Sequence, residues 1–374
     1  MDAKTFCLVA LLFALLAPCG CGREKTPGGV PADAPAHPVS WGATIAFEAG
    51  RKLGGCAVGD LDPMHPGHEI LAVAATGEVF VVRHDEDGWH GKVVAKAGGE
   101  MITCAIGDAD PGRPGLEAIV GGMEEGGEGS GGNGAAHVLY RDDEGWHLEP
   151  LLVDAALVHG VAIGEVDHSH EGGEVITVGF SRKATVLGRE NGAWKTLATI
   201  DLPSPGKNAL VHDGEILVAC AGGSVERIRK EDGAWTTRSI PLGDVGPARP
   251  DADGARVLVA CNDGGLRLFS LDGPEGKTPT VTVIHREPKR LRGAVLGDLD
   301  PSVPGVEAAT AGYAKEMTIL YPPEAGKKAW TAKTLWRDTE KFHHLASGEL
   351  LADGQGPELV AVGYSGRVVV ASRR

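Results

Sequence analysis

Aromatic residues supply only 5% of this 374-residue chain, and its 36 Lys and Arg are outnumbered by 51 Asp and Glu. The resulting net charge of −15 repels phosphate backbones, so general nucleic-acid binding is excluded. No apolar run is long enough to span a bilayer comfortably. Cysteine is scarce beyond residue 21. The four that remain, Cys56, Cys104, Cys220 and Cys261, fall in no metal-ligand spacing such as CxxC. Small buried thiols are expected there, although Cys56 and Cys104 stand in equivalent places where a disulfide would just reach. No amphipathic helix follows residue 40, and no catalytic signature is present.

What the chain has in excess is glycine, 56 residues without a collagen period. That points to many short strands and tight turns. The strands recur. "CAVGDLDPMHPGHEILAVAATGEVFVV", "CAIGDADPGRPGLEAIVGG", "VAIGEVDHSHEGGEVITVGF" and "AVLGDLDPSVPGVEAATAGY" share one frame, and "LASGELLADGQGPELVAVGYSGRVVVA" keeps it. "ALVHDGEILVACAGGSVERI" and "ARPDADGARVLVACNDGGLRLF" keep the strands but lose the acidic turn. Gly59, Gly107, Gly164, His212, Asp251, Gly297 and Gly348 are taken as equivalent positions. A Trp recurs after the third strand at 89, 146, 194 and 235, and Trp330 holds a similar place.

Seven four-stranded units in series predict a seven-bladed β-propeller, because a lone sheet cannot bury both faces while a stack closed into a ring can. The last unit stops after its third strand. Residues 41–47 copy the fourth-strand pattern and are expected to complete that blade by pairing with 367–371. The glycine-rich insert at 123–136 reads as a mobile loop. "HSHEGGE" (168–174) reads as a solvated turn and not a metal site.

The first residues read as an export signal: Lys4, then the apolar run "FCLVALLFALLA". "PCGCG" follows, and Cys21 is the expected lipidated residue, with Cys19 or ordinary signal cleavage as alternatives. The organisation expected is a signal over 1–21, a disordered tether over 22–40 and the propeller over 41–374. Membrane association would come only through the lipid, and the protein would be a periplasmic or cell-surface lipoprotein.

The line "GDLDP..PG.EI", an apolar strand and a Gly turn resemble FG-GAP or VCBS propeller repeats, common in exported bacterial proteins. The resemblance covers about residues 41–374. It implies a calcium loop of the form Asp-x-Asp-x-Asp-Gly-x-x-Asp. Asp60 and Asp62, Asp108 and Asp110, and Asp298 and Asp300 match its first two ligands. Met64, Gly112 and Ser302 stand where the third Asp belongs, and Glu69, Glu117 and Glu307 come one residue late. The alternative is that these acids accept hydrogen bonds from turn N–H groups and mark the blades.

A ligand would sit where the loops leading into the innermost strands meet around the axis. Five residues before the reference positions stand His159, Lys207, Arg292 and His343, besides Gly54 and Ile102; the fifth unit cannot be aligned there. Phe180, Tyr313 and Tyr364 follow strand-ending glycines in units three, six and seven. Cationic donors with aromatic planes suit a glycan or small anion. The expected function is a non-catalytic binding module. The alternatives are a lyase or hydrolase acting on an acidic sugar through His159, His343 or Arg292, and a scaffold for protein partners.

Overall fold

The computed structural model describes residues 40–126, 132–273, 277–324, 328–352 and 355–374. The leader, Cys21 and the tether lie outside these residues, as does the middle of the blade-two insert. Seven antiparallel sheets of four strands follow one another around an axis, the seven-bladed propeller the repeats predict. Blade one runs Leu53–Gly59, Glu69–Ala74, Glu78–Asp85 and Gly88–Lys96 from the axis outward. The other blades repeat that order. The last is completed by β1 (Trp41–Glu48), which pairs with the strand Arg367–Arg373 from Trp41↔Arg373 to Glu48↔Arg367.

The second strands are buried along their whole length in blades one, two, three, six and seven, since neighbours cover both faces. The outer strands alternate exposed and half-buried residues. Each of the seven hydrophobic clusters lies between two adjacent blades. Phe80, Val82 and Ile70 of blade one, for instance, meet Val360, Val362, Val368 and Val370 of blade seven. The turns Asn191–Gly192 (φ 51° and 79°) and Asp232–Gly233 (50° and 81°) carry positive φ at both central residues, as two-residue hairpins need.

The innermost strands share an irregularity. In every blade the pairing of the first and second strands skips one residue: Gly54, Ile102, His159, Lys207, Ala248, Arg292 and His343. Such a bulge takes one residue out of the ladder and re-aims it. It also corrects the alignment of blade five. Asp253 pairs with Arg256 as Gly59 pairs with Glu69, so Asp253 and not Asp251 is the equivalent position.

Candidate functional site

The bulge residues meet at the throat of the ring. His159, Arg292 and His343 are 7–8% exposed. Out of the ladder, the bulge carbonyls need other donors, and the throat supplies them. One ring nitrogen of His159 lies 2.6 Å from the Lys207 carbonyl, and one of His343 lies 2.6 Å from the Gly54 carbonyl, each in the next blade. These contacts place the proton on Nδ1. Burial, with Lys207, Arg292 and Arg249 near His159, holds that imidazole well below its usual pKa. Burial, Arg249 and Arg292 do the same to His343. His343 Nε2 then faces Arg292 Nη2 at 3.4 Å as an acceptor. Both histidines are tied into the scaffold and hold neighbours in place.

Arg249 is the throat residue that sequence reasoning missed. It follows the bulge in blade five, is 3% exposed, and donates Nη1 to the carbonyls of Arg292 (3.0 Å) and His343 (2.9 Å). Burial and the Arg292 charge push its pKa down to about 9, so it remains a cation at neutral pH.

Half-buried side chains form the rim. Lys207 Nζ lies 4.0 Å from the centre of the Phe180 ring, and Phe180 lies 5.8 Å from His159. In blades six and seven, Tyr313 and Tyr364 approach with ring centres 6.1 Å and hydroxyls 3.4 Å apart. Lys341 Nζ lies 4.9 Å from the first ring and 5.4 Å from the second. Lys52 Nζ is 4.5 Å from Tyr364, and the Arg292 guanidinium is 5.7 Å from Tyr313. Arg292 Nη1 donates to Asn262 Oδ1 at 3.2 Å. The seven predicted mouth residues thus form two groups, one on blades three and four and one on blades six and seven. Each group registers the other's charge: Arg292 lowers the pKa of both His159 and Lys207. Burial first, then Arg292 and Arg290, bring Lys207 down to about 8. Burial opposes ionisation of Tyr313, but the Tyr364 hydrogen bond and the charges of Arg292, Lys341 and Arg290 outweigh it and lower its pKa. Tyr364 is pushed up to about 12, chiefly by burial.

The acidic turns do different work. Glu69 Oε2 accepts from the N–H groups of Leu61 and Asp62, both at 3.0 Å. Glu117, Glu174, Glu307 and Glu358 repeat the arrangement in their own blades. In four of these turns the second acid reaches the next blade. Asp62 meets Arg141 (2.6 Å), Asp110 meets Arg189 (2.8 Å), Asp167 meets Lys230 (2.5 Å) and Asp300 meets Arg373 (3.0 Å). Each of these cations is paired with a Trp on the adjacent antiparallel strand: Trp146, Trp194 and Trp235 across hairpins, and Trp41 across the seam that closes the ring. Asp60, Asp108 and Asp298 are exposed. Among the described residues, no group of three or more His, Cys, Asp and Glu is placed to hold a metal. In "HSHEGGE", His168 is exposed and His170 faces Glu190 at 3.2 Å. Cys56, Cys104, Cys220 and Cys261 are buried and unpaired.

Burial raises Glu69 and Glu117 to about 7 despite the turn hydrogen bonds. A glutamate whose folded pKa exceeds its unfolded value of about 4.3 contributes stability that is full below 4.3 and lost as pH rises through 7. Replacing both by Gln, which keeps an acceptor for the turn, is expected to flatten the pH dependence of Tm between about 4.3 and 7. An unchanged slope in thermal melts would show that these two carboxyls do not titrate there.

No family model matches the chain, and no curated protein does. Among solved structures it is similar to the crystal structure of the WD40 β-propeller domain of Doa1, with a TM-score of 0.63 and 11% identity over 90% of this chain and 98% of that one. At that identity the likeness establishes the fold, a β-propeller, and nothing finer.

Proposed function

We propose that the ring is a binding module whose mouth takes a small anionic ligand, with an acidic sugar as the first candidate. The observation that carries this is the gathering of Lys52, Lys207, Arg292 and Lys341 against Phe180, Tyr313 and Tyr364 in a protein of net charge −15. Cations focused in a concavity attract anions, and the ring faces suit the apolar side of a sugar. Calorimetry with an oligogalacturonate and with a neutral oligosaccharide of equal length tests the reading. Binding of the acidic one alone is expected, weakened at least tenfold in Arg292→Ala, since a hydrogen bond to a charged group is worth about 1.5–3 kcal/mol. Binding unchanged in that variant overturns it, and no binding of either favours a protein partner on the loops.

A second reading, β-elimination from an acidic sugar, has one observation behind it: the Tyr313–Tyr364 pair, whose pKa values are driven apart beside Arg292. An unsaturated product detected by its ultraviolet absorbance, and lost in Tyr313→Phe, would establish it. We read the chain as an exported repeat protein of FG-GAP or VCBS type, anchored by lipid on Cys21. The acidic turns are read as joints between blades. A Tm raised by calcium in the same preparations would instead favour a metal at those turns.

A further inference from the structure

Below Arg249 the axis opens into a cavity of about 290 Å³. Asn208, Arg249 and His344 stand at one level, the residue after the bulge in blades four, five and seven, and bound its upper end. Beneath them the wall carries Cys56, Ala105, Val161, Ala209 and Ala294, with polar atoms making up the larger share of the surface facing the cavity. Burial keeps the Cys56 and Cys104 thiols protonated by pushing their pKa values up, that of Cys56 to about 12. His344 Nδ1 accepts from the Cys56 N–H at 3.0 Å, which places its proton on Nε2, and burial keeps the ring neutral. The one acid on the wall, Asp251, accepts from the Leu296 N–H at 2.7 Å, and burial pushes it up to about 6.

Arg249 is therefore a buried cation with an incomplete set of partners. Two carbonyls share its Nη1, while Nε and Nη2 are buried and bond to nothing; the buried Nε of neighbouring Arg292 is also unpartnered. Its hydrogen bonds go to carbonyls alone, and among the described residues none goes to a carboxylate. Burying an ion is unfavourable unless a counter-charge offsets the lost hydration, and unpaired polar atoms in a native interior commonly mark a missing water or ion. We propose that this cavity binds a weakly hydrated monovalent anion, chloride or bromide, beside Arg249. One unpaired guanidinium balances one negative charge, so a divalent sulfate or phosphate would be left partly uncompensated in the buried site. Asn208 and the His344 Nε2–H are the further donors at the same level.

The site stands apart from the reading of the mouth. Its test compares Tm in sodium bromide and sodium gluconate at equal ionic strength. With bromide at ten times its Kd, a rise of about 2 °C is expected. Arg249→Met is expected to abolish the response, and Lys341→Ala, which removes a mouth cation, to retain it. Asp251→Asn, which keeps an acceptor for Leu296 and removes the competing negative charge, is expected to tighten bromide. Should Arg249→Met fail to fold, anomalous scattering from crystals grown in bromide decides, with a peak on the axis beside Arg249 expected. Equal Tm values in the two salts, or an axis without bromide, overturn the proposal.

Discussion

Asp300→Ala is expected to cost about 3–5 kcal/mol, because it strands a buried guanidinium. Asp300 Oδ1 accepts from Arg373 Nη1 at 3.0 Å, with both side chains at most 5% exposed. Its Oδ2 accepts from the Tyr321 hydroxyl at 3.2 Å, and that hydroxyl accepts from Trp41 Nε1 at 2.9 Å. One carboxylate thus joins blade six to both strands at the seam of blade seven. Urea unfolding measures the loss. Asp300→Leu combined with Arg373→Met should recover most of it, since no charge is then left unpaired. A loss below about 1 kcal/mol, the level of an exposed pair, would refute the account. The pH dependence has a definite sign. Burial raises the Asp300 pKa, but hydrogen bonds from Ser302 and Arg373 outweigh it and the net shift is downward. This contribution is present above the unfolded value of about 3.9 and is lost as pH falls through the lower folded value.

Removing residues 1–48 is the second large perturbation. The strand Trp41–Glu48 pairs along the whole of Arg367–Arg373, and Phe47 packs against Phe80 with ring centres 5.5 Å apart. Without it, Arg367–Arg373 becomes an open edge, and the Trp41 link to Tyr321 disappears. A chain beginning at residue 49 is expected to melt at least 10 °C below one beginning at residue 39, and to aggregate through the exposed edge. A synthetic peptide of residues 39–50 should restore part of the difference. Equal melting of the two chains would mean that the seam adds no stability.

The architecture was legible because repetition is a property of the chain itself. The strand alternation, the Gly turns and the orphan fourth strand at 41–47 could all be read without coordinates. The bulge could not be read, since nothing in "GPARPDADG" marks which residue leaves the ladder. Without it, blade five was aligned two residues out and Arg249 went unnoticed. The partners of the acidic turns did leave a trace. Arg141, Arg189 and Lys230 each precede a recurrent Trp by five positions, as His84 precedes Trp89. That spacing was visible, but it acquires meaning only when the hairpin sets cation and Trp side by side and the ring brings the next acid to them. The mouth was half legible. The structure sets the named residues in two groups, and burial and the carbonyl bonds turn His159 and His343 into supports.

The ion pairs at the acidic turns are unevenly shared around the circumference. Those between blades one and two, two and three, three and four, and six and seven have no counterpart where the turns of blades four and five lost their acids. There His212 reaches the Gly254 carbonyl and Asp251 takes the Leu296 N–H instead. Where blade seven meets blade one, Leu351 replaces the acid and His84 the arginine. Burial raises the carboxyls of Asp167 and Asp300, but their hydrogen bonds outweigh it and hold both below the usual range, so the wheel's denaturation in acid should begin at those two spokes and not everywhere at once.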